Sequence, residues 1–459
     1  MTLRCVSPID GSLVASREAM APDAVRPLLA AAREAQREWA ARPLDDRIAI
    51  VRAGVDALCA QGDEAVPELA RMMGRPVRYG GEFGGVEERA GHMADIAAEA
   101  LAPHVVEESN AFERRIVREP HGFVLVVAPW NYPYLTAINA LAPALVAGNA
   151  VALKPATQTL LAGERMARAF VSAGVPEALL PCLFLDHATT EALIAAGEFD
   201  FINFTGSVAG GRAIERAAAG TFTGTGLELG GKDPGYVMDD ADLDAAAATL
   251  IDAAMFNSGQ CCCGIERIYV VERHFDAFVE RAVAIAGDYR LGDPLDPQTT
   301  LGPVANARIA ETVRSQIADA EAKGARGLID RSRFPADDGA GPYLAPQILV
   351  DVDHSMELMR EENFGPVVGI MPVADDEEAV RLMNNSHYGL TASLWTRDAE
   401  RAARIGARID TGTVFMNRAD YLDPGLCWSG RKETGRGASL SVLGFHALTR
   451  PKSFHLKKS

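Results

Sequence analysis

Between residues 22 and 39 apolar side chains return at helical spacing, with Val25, Leu28, Leu29 and Ala32 on one side. The same spacing marks 47–58, 64–73 and 87–101, and Gly74 and Pro76 close the third of these stretches. The texture then changes. Residues 123–128 are continuously apolar, as suits a strand buried on both faces. The loop Pro129-Trp130-Asn131-Tyr132-Pro133 leads into a helical stretch over 134–146, which Gly148 stops. A strand over 149–154, a helix over 160–173, a strand over 199–204 and a helix over 208–218 follow. After Gly230-Gly231 the alternation starts again: helix 242–256, strand 267–271, helix 274–286, strand 367–373, helix 377–383 and strand 393–396. Strands alternating with helices predict an α/β fold with two doubly wound parallel sheets meeting near Gly230, and ligands at the carboxyl ends of strands. Residues 112–118 and 453–456 alternate apolar with polar, as half-exposed strands do.

Composition narrows the partners. The 459 residues are 48% hydrophobic and 23% charged, ordinary values for a globular protein, with room for two or three domains. A net charge of −17 argues against nucleic acid or an anionic membrane surface, since both demand a basic face. No run of about 18 apolar residues offers a membrane span. Residues 1–11 show no basic region followed by an apolar one, so no secretory signal is expected. Seven cysteines, with Cys5, Cys59, Cys182 and Cys427 scattered outside one triplet, suit a reduced, cytoplasmic protein.

That triplet, Cys261-Cys262-Cys263 behind Phe256-Asn257-Ser258-Gly259-Gln260, is the main chemical feature. Adjacent side chains do not easily converge on one tetrahedral ion, and a disulfide between neighbours is strained, so no metal site is expected. One nucleophilic thiol in a turn between helix and strand fits better. A thiol attacks as thiolate, and a nearby base helps it. Glu228, between Leu227 and Leu229 and just before the paired glycines, offers a carboxylate whose pKa desolvation would raise; an exposed acid at a strand end is the plainer reading. Asn131 is either an amide donor to an oxyanion, together with the Cys262 N–H, or a turn residue. Thr205-Gly206-Ser207 joins a strand to a helix, so Gly206 and Ser207 serve either a pyrophosphate or a plain helix cap. Gly224-Thr225-Gly226 lacks the third glycine of a Rossmann fingerprint and opens no helix.

In order and spacing these phrases resemble the aldehyde dehydrogenase superfamily over nearly the whole chain. Besides the cysteine phrase they include Pro129-Trp130-Asn131-Tyr132-Pro133, Leu227-Glu228-Leu229-Gly230-Gly231-Lys232 and Glu361-Glu362-Asn363-Phe364-Gly365-Pro366. The resemblance implies a Rossmann-like cofactor domain (1–101 and 121–230), a catalytic domain (231–430), and a small β arm and tail (102–120 and 431–459) that joins copies into a homodimer or homotetramer. It makes Cys262 the nucleophile, Glu228 the base and Asn131 the oxyanion donor. NAD or NADP would be held by Trp130, Lys154, Thr157, Gly206, Ser207, Glu362 and Phe364. Thr157 stands where many members carry a glutamate that repels a 2′-phosphate, so NADP is expected to be accepted. Tyr132, Asn139, Phe256 and Trp428 would line the tunnel for a small aldehyde. The loop 417–430 would meet its far end, with Arg418 suited to a carboxylate and Asp420 and Asp423 to an amine; hydrated loop charges are the plainer reading of all three. The short N-terminus suggests that an initial hairpin is missing, and Ser439 replaces an acid of the usual proton relay. A coenzyme A-acylating relative, or a non-catalytic use of the fold, are the alternatives.

Overall fold

Strands Phe123–Val127 and Ala150–Lys154 are buried along their whole length, and helices Pro22–Ala41 and Pro133–Val146 pack on both. They belong to a five-stranded sheet in the order Gly435–Arg436, Gly224–Glu228, Phe201–Thr205, Phe123–Val127, Ala150–Lys154. All its pairings are parallel except that of Gly435–Arg436. The structure is a computed structural model that describes residues 1–458. A second sheet has seven strands, in the order Arg326–Gly327, Gln347–Val350, Val367–Val373, Ile265–Val271, Asp233–Val237, Thr391–Trp395, Thr413–Met416. Only its first pairing is antiparallel. The two doubly wound sheets of the sequence reading are therefore present, and Gly230-Gly231 lies between them.

Register decides where chemistry can occur. Val127 pairs with Lys154 on one side and Phe204 on the other, and Thr205 pairs with Glu228. The carboxyl ends of four parallel strands are thus level, and the loops leaving them share one rim. In the second sheet Asp233 pairs with Ile265 at the amino ends of the two central strands. The Cys262 turn immediately precedes Ile265, so it faces that rim across the seam.

Three details depart from expectation. An N-terminal hairpin is present after all, with Thr2–Val6 antiparallel to Leu13–Glu18; its strands are too short to announce themselves by alternation. Strand Asp233–Val237, central and wholly buried, begins Asp-Pro-Gly and carries no strand signal. Gly235 is needed there because a Cβ would come within 2.7 Å of Leu250, on the helix packed above. The tail is also more dispersed than a single arm. Only Thr449–Lys457 pairs with Phe112–Pro120, which in turn pairs with His104–Glu108. Arg431–Lys432 pairs with Tyr388–Gly389, Gly435–Arg436 extends the five-stranded sheet, and helix Ser441–Ala447 packs on helices Phe83–Ala100 and Pro133–Val146.

Candidate active site

Helix Leu243–Met255 ends in a tight turn where Asn257, Ser258 and Gly259 have φ of 54°, 56° and 74°. Left-handed backbone costs a non-glycine residue roughly 1–2 kcal/mol, so the turn must be held from outside. Ser258 Oγ donates to the Gly302 carbonyl at 2.8 Å. Gln260 donates to the Asn257 carbonyl at 3.0 Å and accepts the Ala305 N–H at 2.7 Å. At Gly259 a Cβ would fall 2.1 Å from the Gly365 carbonyl oxygen. The phrase before the triplet is therefore scaffold. It leaves Cys261 and Cys263 buried and Cys262 half-exposed. Gly231 crosses directly over this turn, where a Cβ would lie 2.2 Å from the Cys262 carbonyl.

Glu228 ends its strand with two hydroxyl donors on its carboxylate, Thr205 Oγ1 at 3.2 Å and Ser439 Oγ in a short contact. Burial pushes its pKa up, while those two hydrogen bonds and the Arg89 charge pull it back. Asn131 Nδ2 donates to the Gln260 carbonyl at 3.2 Å, which sets the amide beside the cysteine turn. The Cys262 N–H has no acceptor among the described residues. The flanking thiols of Cys261 and Cys263 pull the Cys262 thiol down to about 6, against burial and repulsion by Glu228 and Glu362. A thiolate at neutral pH, an amide and a free N–H, and a desolvated carboxylate can together attack a carbonyl, hold the oxyanion and take a proton from water.

Two buried ion pairs bolt this arrangement together, and the sequence reading found neither. Arg75 and Glu82 meet at 2.9 Å with side chains 3% and 1% exposed. Arg75 also donates to Asn257 Oδ1 at 3.2 Å and to the Asn131 carbonyl, while Glu82 accepts the N–H groups of Tyr134 and Leu135 at 2.9 and 2.6 Å. One pair thus ties the cysteine turn to the Asn131 loop and to the helix after it. Lys232 meets Glu266 at 2.8 Å and Asn363 Oδ1 at 2.6 Å, and Glu266 accepts the N–H groups of Asn363 and Phe364. This second pair fixes the Glu362–Phe364 loop. Their signal was a charged residue inside an otherwise apolar or glycine-rich phrase.

The residues expected to hold a dinucleotide lie along the shared rim. Lys154 is buried with one long contact, to the Pro155 carbonyl at 3.4 Å, and burial lowers it to about 8. Such an under-partnered ammonium is a donor in want of an acceptor. Gly206 follows the Phe201–Thr205 strand, and Ser207 caps the next helix through the Gly210 N–H at 3.2 Å, so its capping role is realised. Thr157 sits partly exposed in the short turn Thr157–Thr159. Trp130 meets Phe364 edge-on at 5.4 Å, forming an aromatic wall. Glu362 accepts the Gly231 N–H at 3.0 Å, and burial beside Glu266 pushes it up to about 8. A buried cation, a helix start, an aromatic wall and a carboxylate fit a dinucleotide.

Of the expected pocket residues, Asn139 lines a small cavity with Glu228 and Ser439, and Trp428 bonds through its backbone to Ser439 in both directions, at 2.8 and 2.9 Å. Tyr132 lies under the Arg75 guanidinium, 4.5 Å from its ring centroid. Phe256 packs on Tyr79 at 4.7 Å. Arg418 stacks on Tyr421 at 3.6 Å and is exposed.

The sequence pattern of the Aldehyde dehydrogenase family matches residues 1–454. The chain belongs to the aldehyde dehydrogenase family. It is 33% identical over 451 residues to a succinate-semialdehyde dehydrogenase [NADP(+)] of Deinococcus radiodurans, covering 97% of this chain and 93% of that one. The NADP-dependent glyceraldehyde-3-phosphate dehydrogenase of Bacillus halodurans, solved with NADP, superposes with a TM-score of 0.94 at 31% identity, covering 100% of this chain and 96% of that one. An NAD-dependent aldehyde dehydrogenase of Sinorhizobium meliloti superposes with a TM-score of 0.93 at 31% identity, covering 100% and 92%. The chain is an NAD(P)-dependent aldehyde dehydrogenase, not a coenzyme A-acylating relative or a non-catalytic use of the fold.

One residue of this aldehyde dehydrogenase stands out from its surroundings. Arg89, on helix Phe83–Ala100, is 8% exposed, and burial lowers its pKa. Its Nη1 makes two long contacts of 3.3 Å, to the Leu135 carbonyl and Asn139 Oδ1, and its Nε is buried with no partner. The carboxylates of Glu228, Glu82 and Glu88 oppose that lowering. Its only hint in the sequence was an arginine on the apolar side of an amphipathic helix.

Proposed function

We propose that this enzyme oxidises a small aldehyde with an anionic tail, a semialdehyde in the simplest case, and that it accepts NADP+. Arg89 carries this reading. Buried guanidinium groups are normally paired; this one bonds Asn139, which shares a small cavity with Glu228, and keeps a spare Nε donor. A substrate carboxylate would supply the missing partner. The substrate in the name of the Deinococcus radiodurans relative points the same way. Thr157 leaves room for a 2′-phosphate that a glutamate would repel.

In the proposed mechanism the Cys262 thiolate attacks the aldehyde carbonyl. The new oxyanion accepts hydrogen bonds from Asn131 Nδ2 and the Cys262 N–H. Trp130, Lys154, Thr157, Gly206, Ser207, Glu362 and Phe364 would hold NAD(P)+, which would accept the hydride. Glu228, held by Ser439 and Thr205, takes a proton from the water that hydrolyses the Cys262 thioester, releasing the carboxylic acid. Replacing Glu228 with glutamine keeps the shape and removes the base. Steady-state turnover should fall about 100-fold while the first-turnover burst of reduced cofactor persists; an unchanged steady state would remove Glu228 from deacylation.

A panel of aldehydes with anionic, neutral and cationic tails, run with both nucleotides, tests the substrate reading. Anionic aldehydes should show the highest kcat/KM. Arg89→Met should lower it for them by about 10–100-fold, the worth of a charged hydrogen bond, and leave neutral aldehydes within a few-fold. Equal losses across the panel would make Arg89 structural. NADP+ should be used at least as well as NAD+, and Thr157→Glu should impair NADP+ selectively.

The five-stranded unit serves the cofactor in this reading, and the seven-stranded unit presents the thiol. The arm pairs with a second copy, since its outer strands are free and expose Val105, Val106 and Leu456. Light scattering should give a dimer or tetramer, and a monomer at working concentration would refute it. No helix among the described residues is long and apolar enough to cross a membrane. Seven free cysteines, three of them at the site, suit the reducing cytoplasm.

A further inference from the structure

The cysteines flanking Cys262 are not idle neighbours. Adjacent side chains diverge, but Cys261 and Cys263 are two apart, and the turn brings their Sγ atoms within 3.5 Å. The expectation that this triplet cannot converge therefore holds for neighbours and fails for the alternate pair. Asp420 completes a triangle, with Oδ1 3.4 Å from Cys261 Sγ and 3.1 Å from Cys263 Sγ. It comes from a different part of the chain, the loop after strand Thr413–Met416, and holds φ at 55° to do so. A strained aspartate that brings a carboxylate to two buried thiols needs a reason. Among the described residues no lysine or arginine pairs with that carboxylate; its partners are the two thiols.

We propose that Cys261, Cys263 and Asp420 form a binding site for a soft divalent cation of the zinc class, and that its occupation reversibly shuts off Cys262. The donor triangle is the argument. A tetrahedral zinc ion, with Zn–S near 2.3 Å and Zn–O near 2.0 Å, spaces two sulfurs by about 3.8 Å and a sulfur from an oxygen by about 3.5 Å. The observed edges differ by a few tenths of an ångström, within side-chain reach. Two thiolates and one carboxylate are donors that zinc favours over magnesium or calcium. Binding forms two metal–sulfur bonds and one metal–oxygen bond and releases the protons those groups carry, with no electron transferred. A dication so held bears one net negative charge, which Arg89 beside Cys263 would favour. Cys262 stands between the two sulfur ligands in the chain, so its backbone on both sides belongs to the site. Loading the site draws in the residues on both sides of Cys262 and with them the turn that presents the nucleophile, which takes the thiol out of line for attack.

Binding is best read without catalysis. Cobalt(II) titrated into the reduced Cys262→Ala variant should give near-ultraviolet thiolate charge-transfer bands and the intense visible bands of four-coordinate cobalt, saturating at one ion per chain. Asp420→Asn and Cys263→Ser, each combined with Cys262→Ala, should weaken that binding at least 10-fold, with retained NADP+ binding as the check on folding. In the enzyme with Cys262 intact, zinc should inhibit aldehyde oxidation, a chelator should restore activity, and Asp420→Asn should relieve the inhibition. Absence of thiolate bands at one equivalent of cobalt would overturn the proposal. So would metal binding and zinc inhibition unchanged by Asp420→Asn. Because the cobalt experiment lacks Cys262, its failure leaves the catalytic reading standing, and the catalytic reading can fail while the cobalt bands remain.

Discussion

Cys262→Ala should abolish aldehyde oxidation, by a factor on the order of 10⁴ or more, while leaving NADP+ binding intact. The size follows from the mechanism: without sulfur there is no covalent intermediate, and the amide, the N–H and the base have nothing to act on. The substitution is small and the turn is held by Ser258, Gln260 and Gly259, so the fold should not move. A second measurement isolates the thiol. The flanking Cys261 and Cys263 thiols pull Cys262 below an ordinary thiol. The thiolate is the reactive form, so alkylation of the enzyme should rise with pH and reach half its plateau below the range of a free thiol. Residual turnover above a few per cent in the alanine variant would remove Cys262 from the chemistry, whereas alkylation at half-plateau near about 8.5 would show only that the flanking thiols do not activate it.

Arg75→Met should cost about 3–5 kcal/mol of stability, read by urea unfolding. The methionine fills much of the same space, so the loss is electrostatic. Glu82 would remain as a buried carboxylate, with burial already pushing its pKa up, and would keep only two backbone N–H partners. Because Arg75 also holds Asn257 and the Asn131 carbonyl, the surviving folded enzyme should turn over more slowly as well. Removing both charges, as Arg75→Met with Glu82→Gln, should recover part of the stability and none of the positioning. A single-variant cost below about 1 kcal/mol would show that the pair is not the bolt between turn and loop.

Much of the fold was legible because burial writes itself into local pattern. Strand Phe123–Val127, helix Val208–Ala218 and strand Val367–Val373 lie where hydrophobic periodicity placed them. Strand Asp233–Val237 was not legible. Its Pro234 and Gly235 are poor strand formers, tolerated because the neighbouring strands and Leu250 enclose them. Parts of the site could be read as phrases, since a strained turn and a close crossing demand particular residues at particular places. Gly259 against the Gly365 carbonyl and Gly231 against the Cys262 carbonyl are two such demands.

From residues alone came the alternation of strands and helices, the seam near Gly230, the thiol-bearing turn and the candidate roles around it, because each is local in the chain. Tertiary structure alone decided which groups meet across distance: Ser439 on Glu228, Arg75 on Glu82, Arg89 on Asn139 with its Nε left over, and Asp420 brought to Cys261 and Cys263. The contacts among these join elements far apart in the chain, and their energies come from burial and charge pairing, which no window of sequence contains.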